Sequence, residues 1–132
     1  MRYQLTEIER FPAQIEPGVL YYSQEFKMCA HRCACGCGDV IQLPVDNQNY
    51  RITVGAKGVT LRPSIGNWNV CDAHYYITDG GVEWMPTWSA EQVAAGRAAE
   101  DARRDNYYAR KATWSKRIKL WLVSLLSWFR RG

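Results

Sequence analysis

The chain has 132 residues, with 47% hydrophobic, 13% aromatic and 23% charged side chains and a formal net charge of +4. That length fits a single domain and excludes a TIM barrel or a Rossmann domain followed by a second domain. The apolar fraction excludes a disordered chain, and no phosphate-cradling GxxxxGK[ST] loop, GxGxxG fingerprint or apolar run of about 18 residues is present, so nucleotide hydrolysis, dinucleotide redox chemistry and a membrane-spanning helix have no support.

The first 85 residues read as strands and turns. Gly18 to Arg32 is rich in aromatic and alternating residues and lacks proline. Tyr50–Val54 alternates apolar and polar, the period of a half-buried strand. Gly55-Ala56-Lys57-Gly58 is a turn signal, and Val59 to Leu61 resumes the strand, which predicts a hairpin. A second hairpin is predicted from His74–Ile77 and Val82–Trp84 around Thr78-Asp79-Gly80-Gly81. Near Trp88 the pattern changes. Ser89-Ala90-Glu91-Gln92 is a capping box, and an Ala-, Glu- and Arg-rich run follows. This predicts a helix over 89–111, with Glu100 and Arg104 as an attractive i,i+4 pair. Residues 113–131 read as a second helical stretch or a continuation. The expected fold class is α+β: a small β-rich, metal-stapled body with hairpins over 1–88, then a helical C-terminal region over 89–132.

Of five cysteines, Cys29, Cys33, Cys35 and Cys37 crowd into nine residues, and Cys71 follows with His74 three positions on. Disulfides within such a cluster would close very short loops, and an odd count leaves one thiol over. The N-terminal run MRYQLTEIERF has no apolar stretch, which predicts no secretory leader and a reducing, cytoplasmic setting. Thiolates and imidazoles are the ligands that zinc prefers. Three cysteines at alternate positions of a straight strand would spread over about 13 Å. Gly36 and Gly38 allow the chain to curl so that the sulfurs converge. Cys33, Cys35, Cys37 and Cys71 are therefore the candidate zinc ligands; buried free cysteines are the competing reading. Cys29 and His31, on a strand, face either way. His74 has two readings, as a CxxH ligand with Cys71 or as a free imidazole and general base.

Ser64 follows Pro63 at the end of a strand, in a predicted turn. A serine needs an imidazole within hydrogen-bond reach to become a nucleophile, and a group behind that imidazole to orient it. His74 is the natural partner if no metal takes it. Asp72 and Asp79 are candidate orienters, though spacing indicates neither. The competing reading is an ordinary turn serine.

Cys33-Ala-Cys35-Gly-Cys37-Gly38, then Leu61-Arg-Pro-Ser64-Ile65, then Cys71-Asp-Ala-His74-Tyr-Tyr-Ile77, then Gly81-Val-Glu-Trp84 resemble, in order, a small bacterial family of zinc-binding domains found beside bacterial ubiquitin-like conjugation systems. Members typically read C-P-C-G-C-G, P-S-[IV] and C-x-S-H-[FY], followed by a strand ending in Trp. The resemblance covers about residues 20–85. It implies zinc on Cys33, Cys35, Cys37 and Cys71, and a serine peptidase with Ser64 as nucleophile and His74 as base. It implies as substrate a ubiquitin-like protein, which the peptidase processes or removes from its conjugates. This chain departs from the pattern at Ala34, in place of proline, and at Ala73, in place of the serine before the histidine. The second departure removes a hydroxyl near the proposed site. The alternative reading is a non-catalytic zinc-stapled interaction module.

The net charge is unevenly spread. Residues 1–102 carry eight basic and twelve acidic side chains, whereas residues 103–132 carry nine basic and one acidic, a tail of +8. Trp114, Trp121 and Trp128 recur every seven residues and form one stripe with Ile118, Leu122, Leu125 and Phe129. Lys116, Arg117, Lys119, Arg130 and Arg131 flank it. The uncharged run Leu120–Phe129 spans about 15 Å as a helix, too short for a hydrocarbon layer of about 30 Å. Three docking partners remain for this basic amphipathic stretch: the body or a second copy, an anionic membrane surface at the inner face of the membrane, and, with less support, nucleic acid.

Overall fold

The computed structural model describes residues 1–131. In order they form β1 (Gln4–Glu7), β2 (Val19–Ser23), β3 (Met28–Arg32), β4 (Val40–Pro44), β5 (Arg51–Gly55), β6 (Gly58–Asn67), β7 (Ala73–Thr78), β8 (Gly81–Trp84) and one helix, α1 (Ala90–Arg131). The architecture is α+β. Strands β1 to β4 form one four-stranded sheet and β5 to β8 another, each in sequence order. Only the β1–β2 pair is parallel.

Both predicted hairpins form. Gly55 pairs with Gly58 across Ala56-Lys57. Thr78 pairs with Gly81, and Asp79 and Gly80 both take positive φ (50° and 79°), the signature of a type I′ turn that matches strand twist. The run Gly18–Arg32 divides into β2 and β3, joined by a turn whose Lys27 also has positive φ.

Strand alternation builds two apolar layers. Leu20, Cys29 and Ile41 of the first sheet meet Val59, Leu61, Ile65, Tyr75 and Ile77 of the second in one shared core. On the outer face of the first sheet, the β1–β2 connection lays Ile8, Phe11 and Ile15 over Tyr21 and Ala30. Arg32 ties this connection down by donating from Nε to the Ile15 carbonyl at 2.6 Å.

Strand β6 is irregular where it matters. Between the pairs Leu61↔Ile77 and Ile65↔Tyr75, β6 advances four residues and β7 two. Arg62, Pro63 and Ser64 occupy this bulge, and the Arg62–Pro63 peptide is cis. Proline has no N–H for a ladder, so a bulge accommodates it. Ser64 thus lies inside a strand that continues to Asn67, not in a turn at a strand's end.

The described residues fall into two compact units, Met1–Val93 and the helical residues from Ala94 on. The capping box forms as read: the Ser89 amide donates to Gln92 Oε1 at 2.8 Å and the Gln92 amide to Ser89 Oγ at 3.2 Å. The two helical stretches are one continuous helix. Asp101 and Arg104 pair at 3.4 Å, at i,i+3, with both side chains largely solvated, so this ion pair adds little. Trp114, Trp121 and Trp128 are exposed. Among the described residues no helix is long and apolar enough to cross a membrane.

Candidate functional site

His74 is the second residue of β7. Its neighbours Ala73 and Tyr75 point into the shared core, so alternation sends the imidazole to the opposite face of the second sheet. There the β6 bulge presents Ser64. Ser64 Oγ lies 2.9 Å from His74 Nε2, and His74 Nδ1 lies 2.8 Å from the carbonyl oxygen of Pro86. A carbonyl only accepts, so Nδ1 carries the proton. The neutral ring then leaves the Nε2 lone pair to accept from the Ser64 hydroxyl, the arrangement a general base needs. With both ring nitrogens engaged, His74 is not in the cysteine cluster.

The group on His74 Nδ1 is a main-chain oxygen, where the sequence offered carboxylates as candidates. Asp72 and Asp79 both take positive φ and sit in turns, and neither is the partner of Nδ1. Pro86 reaches the imidazole because the chain runs on past β8: the Met85 amide donates to the His74 carbonyl at 2.8 Å, which extends the ladder by one step. Thr87 Oγ1 donates to the Asp72 carbonyl at 3.2 Å.

Two tryptophans flank the His74 imidazole, and sequence reasoning singled out neither. Trp68 and Trp88 stack on each other with centroids 5.4 Å apart and planes 9° apart, and they lie 5.0 and 5.1 Å from the His74 ring. His74 is only 4% exposed. Gly66 pairs with His74 across the ladder, and the Trp68 indole folds back over it through space that a Cβ at Gly66 would occupy. The signal available in the sequence was the glycine directly opposite the histidine. Ala73 faces the core rather than Ser64, so the hydroxyl missing there would lie on the far side of the sheet from the His74 imidazole.

The cysteine cluster forms on the loops that join β3 to β4 and β6 to β7. Gly36 and Gly38 both have φ of 86°, the left-handed conformation that curls the first loop. The Sγ atoms of Cys33, Cys35, Cys37 and Cys71 all lie within 4.8 Å of one another, with Cys33 3.5 Å from Cys35 and 3.7 Å from Cys71. A tetrahedral thiolate site with metal–sulfur bonds of about 2.3 Å has sulfur–sulfur edges of about 3.8 Å, so the four fit a bound metal ion. Amides two residues on serve the sulfurs. Cys37 N–H donates to Cys35 Sγ at 3.3 Å, and the Asp39 amide holds the Cys37 thiol below its ordinary range. The Asn67 side chain bridges the two loops, donating to Asp39 Oδ2 at 2.9 Å, while its carbonyl accepts from the amides of Val70, Cys71 and Asp72.

Cys29 and His31 both face the shared core, outside the cluster. Burial pushes the Cys29 thiol up to about 12, which leaves it a neutral apolar group. Burial pushes His31 down to about 4; its Nε2 lies 2.8 Å from Tyr75 Oη, and its Nδ1 is buried without a hydrogen-bond partner among the described residues.

A family model described as "Bacterial ubiquitination-like system serine protease (BubE)" matches residues 7–85, which take in the cysteine cluster, Ser64 and His74 but end one residue before Pro86. No curated protein and no solved structure matches the chain. The chain belongs to this family of serine proteases of the bacterial ubiquitination-like system.

Proposed function

We propose that this chain is a zinc-stabilised serine peptidase of the bacterial cytoplasm that processes a ubiquitin-like protein or removes it from its conjugates. Ser64 is the nucleophile, His74 the general base, and the Pro86 carbonyl the group that fixes the base. The observation that carries the reading is the 2.9 Å approach of Ser64 Oγ to His74 Nε2 on a ring whose other nitrogen is already held. Ser64 Oγ attacks the scissile acyl carbon while its proton passes to His74 Nε2. His74 then gives that proton to the leaving amine or alcohol, and water, deprotonated by the same nitrogen, releases the acyl group from Ser64. Cys33, Cys35, Cys37 and Cys71 would hold zinc, which would supply a structural cross-link between the two loops and take no part in the reaction at Ser64.

A fluorophosphonate probe tests this without knowledge of the substrate, because an activated serine oxygen displaces its fluoride. The wild-type protein is expected to be labelled at Ser64. Ser64→Ala and His74→Ala are expected to abolish labelling while each retains one zinc by mass spectrometry. Absence of labelling in the wild type favours the non-catalytic interaction module, and loss of zinc from His74→Ala makes that residue a ligand.

For the tail we propose docking on an anionic bilayer surface. Support comes from the exposure of Trp114, Trp121 and Trp128 beside a net charge of +8 over residues 103–132. Full-length protein is expected to co-sediment with phosphatidylserine vesicles and a 1–112 truncation is not. Equal pelleting of the two forms sinks the idea.

A further inference from the structure

We infer that Trp88 is a positioning residue for the base: it holds the Pro86 carbonyl on His74 Nδ1. The inference rests on the reading of Ser64 and His74 as nucleophile and base. It goes beyond that reading because Pro86 and Trp88 both lie outside the segment 7–85 that matches the family.

A neutral imidazole acts as a base only in one orientation and one tautomer. Its Nδ1 proton must be fixed by an acceptor, or the ring turns and the tautomer is lost. A carboxylate does this with a side chain that carries its own charge. Here the acceptor is an uncharged main-chain oxygen, so its placement depends on whatever holds the backbone of residues 85–89. Pro86 has no amide hydrogen and cannot anchor itself. The anchors therefore flank it. On one side is the Met85 amide on the His74 carbonyl at 2.8 Å. On the other are the Thr87 hydroxyl on the Asp72 carbonyl at 3.2 Å and the Trp88 ring. The Thr87 bond is exposed to competing water, so it holds less well than its geometry suggests.

Trp88 touches the base at two levels. Its ring lies 5.1 Å from the imidazole and stacks at 5.4 Å on Trp68, which itself lies 5.0 Å from the imidazole. The two indoles and the imidazole thus form a closed triangle, and the chain two residues before Trp88 carries the acceptor. Directly after Trp88, the Ser89–Gln92 capping box fixes the backbone again. Trp88 is 38% exposed, so its loss opens no core cavity and the fold is expected to survive.

The test uses the full chain with zinc bound. Trp88→Ala and Trp88→Leu are compared with Trp88→Phe, which keeps an aromatic face. Two signals are read: the rate of fluorophosphonate labelling at Ser64, and the proton NMR resonance of His74 Nδ1–H. We expect Trp88→Ala and Trp88→Leu to slow labelling at least tenfold and to broaden the Nδ1–H resonance through exchange with water. Trp88→Phe is expected to restore labelling to within about threefold and to keep the resonance. Zinc content, unchanged throughout, reports the fold. Labelling of Trp88→Ala at the wild-type rate overturns the inference, as does slowed labelling with the resonance intact. Ser64→Ala separates the two levels of argument. If Ser64→Ala is still labelled, the dyad reading fails; if it is dead while Trp88→Ala is fully active, only the inference about Trp88 fails.

Discussion

His74 and Tyr75 are consecutive on β7 and serve opposite faces of the sheet. Tyr75 Oη accepts the Ala34 amide of the cysteine loop at 3.3 Å, while His74 Nε2 meets Ser64 Oγ at 2.9 Å. The β6–β7 loop repeats this coupling. It carries Cys71 to the cluster and Trp68 to the imidazole, and its turn closes on the Asn67 carbonyl. A metal held by the sulfurs would therefore brace Ser64 and His74 without touching them. Removal of zinc with a chelator is expected to slow Ser64 labelling at least tenfold and to lower the thermal midpoint, with both restored by added zinc. Full labelling of metal-free protein at a temperature where it remains folded would show that the cluster and the dyad are independent.

The Pro86 carbonyl on His74 Nδ1 distinguishes this site from a carboxylate triad. In a Ser-His-Asp triad the Asp→Asn change costs about 10⁴-fold in turnover. Here Asp72→Asn and Asp79→Asn are expected to leave Ser64 labelling within about twofold of wild type. Both positions have positive φ, which asparagine adopts as readily as aspartate, so the folds are comparable. A hundredfold loss in either variant would place a carboxylate behind the base and remove the carbonyl from that role.

Much of this was legible because it is written in side chains with local rules. The Gly55–Gly58 and Thr78–Gly81 turns, the Ser89–Gln92 cap and the curl that gathers Cys33, Cys35 and Cys37 around Gly36 and Gly38 all follow from short-range stereochemistry, whereas Cys71 joins them from the β6–β7 loop. Strand β1 was not legible: it is four residues long and largely exposed, so it lacks alternation. Strand β4 carries a weak signal as well; it ends in Pro44 and its outward residue Gln42 is its only clear polar beat. The Pro86 carbonyl on His74 Nδ1 has no counterpart in the sequence pattern. A main-chain carbonyl carries no residue signature, and Pro86 reaches His74 only because the β7–β8 hairpin folds the chain back. The bulge at Pro63 and Ser64 looks in the sequence like a strand end, since proline in a strand normally marks one.

The capping box is a local feature with a local test. Ser89 Oγ accepts from the Gln92 amide in the first turn of α1. Ser89→Ala removes that acceptor and is expected to cost about 1 kcal/mol of local helix stability. Hydrogen exchange at the Gln92 amide should accelerate about fivefold, with exchange in β6 and β7 unchanged. An unchanged Gln92 rate would mean that the first turn is held by something other than the cap.

Gly66 offers the sharpest probe of the aromatic cover. Its backbone is not in the left-handed region, so alanine meets no conformational penalty there. The obstacle is purely steric: an added Cβ meets the Trp68 indole, which lies against His74 and Trp88. Gly66 is itself exposed, and the indole can move outward only by leaving the imidazole. Gly66→Ala is therefore expected to destabilise the fold by about 1–3 kcal/mol, the usual scale of overpacking, and to slow Ser64 labelling with zinc content unchanged. Trp68→Ala added to Gly66→Ala should recover the stability lost to the clash but not the labelling rate, because the cover of the base is then missing. If the double variant regains both, Trp68 is an obstacle at position 66 and not a support for His74.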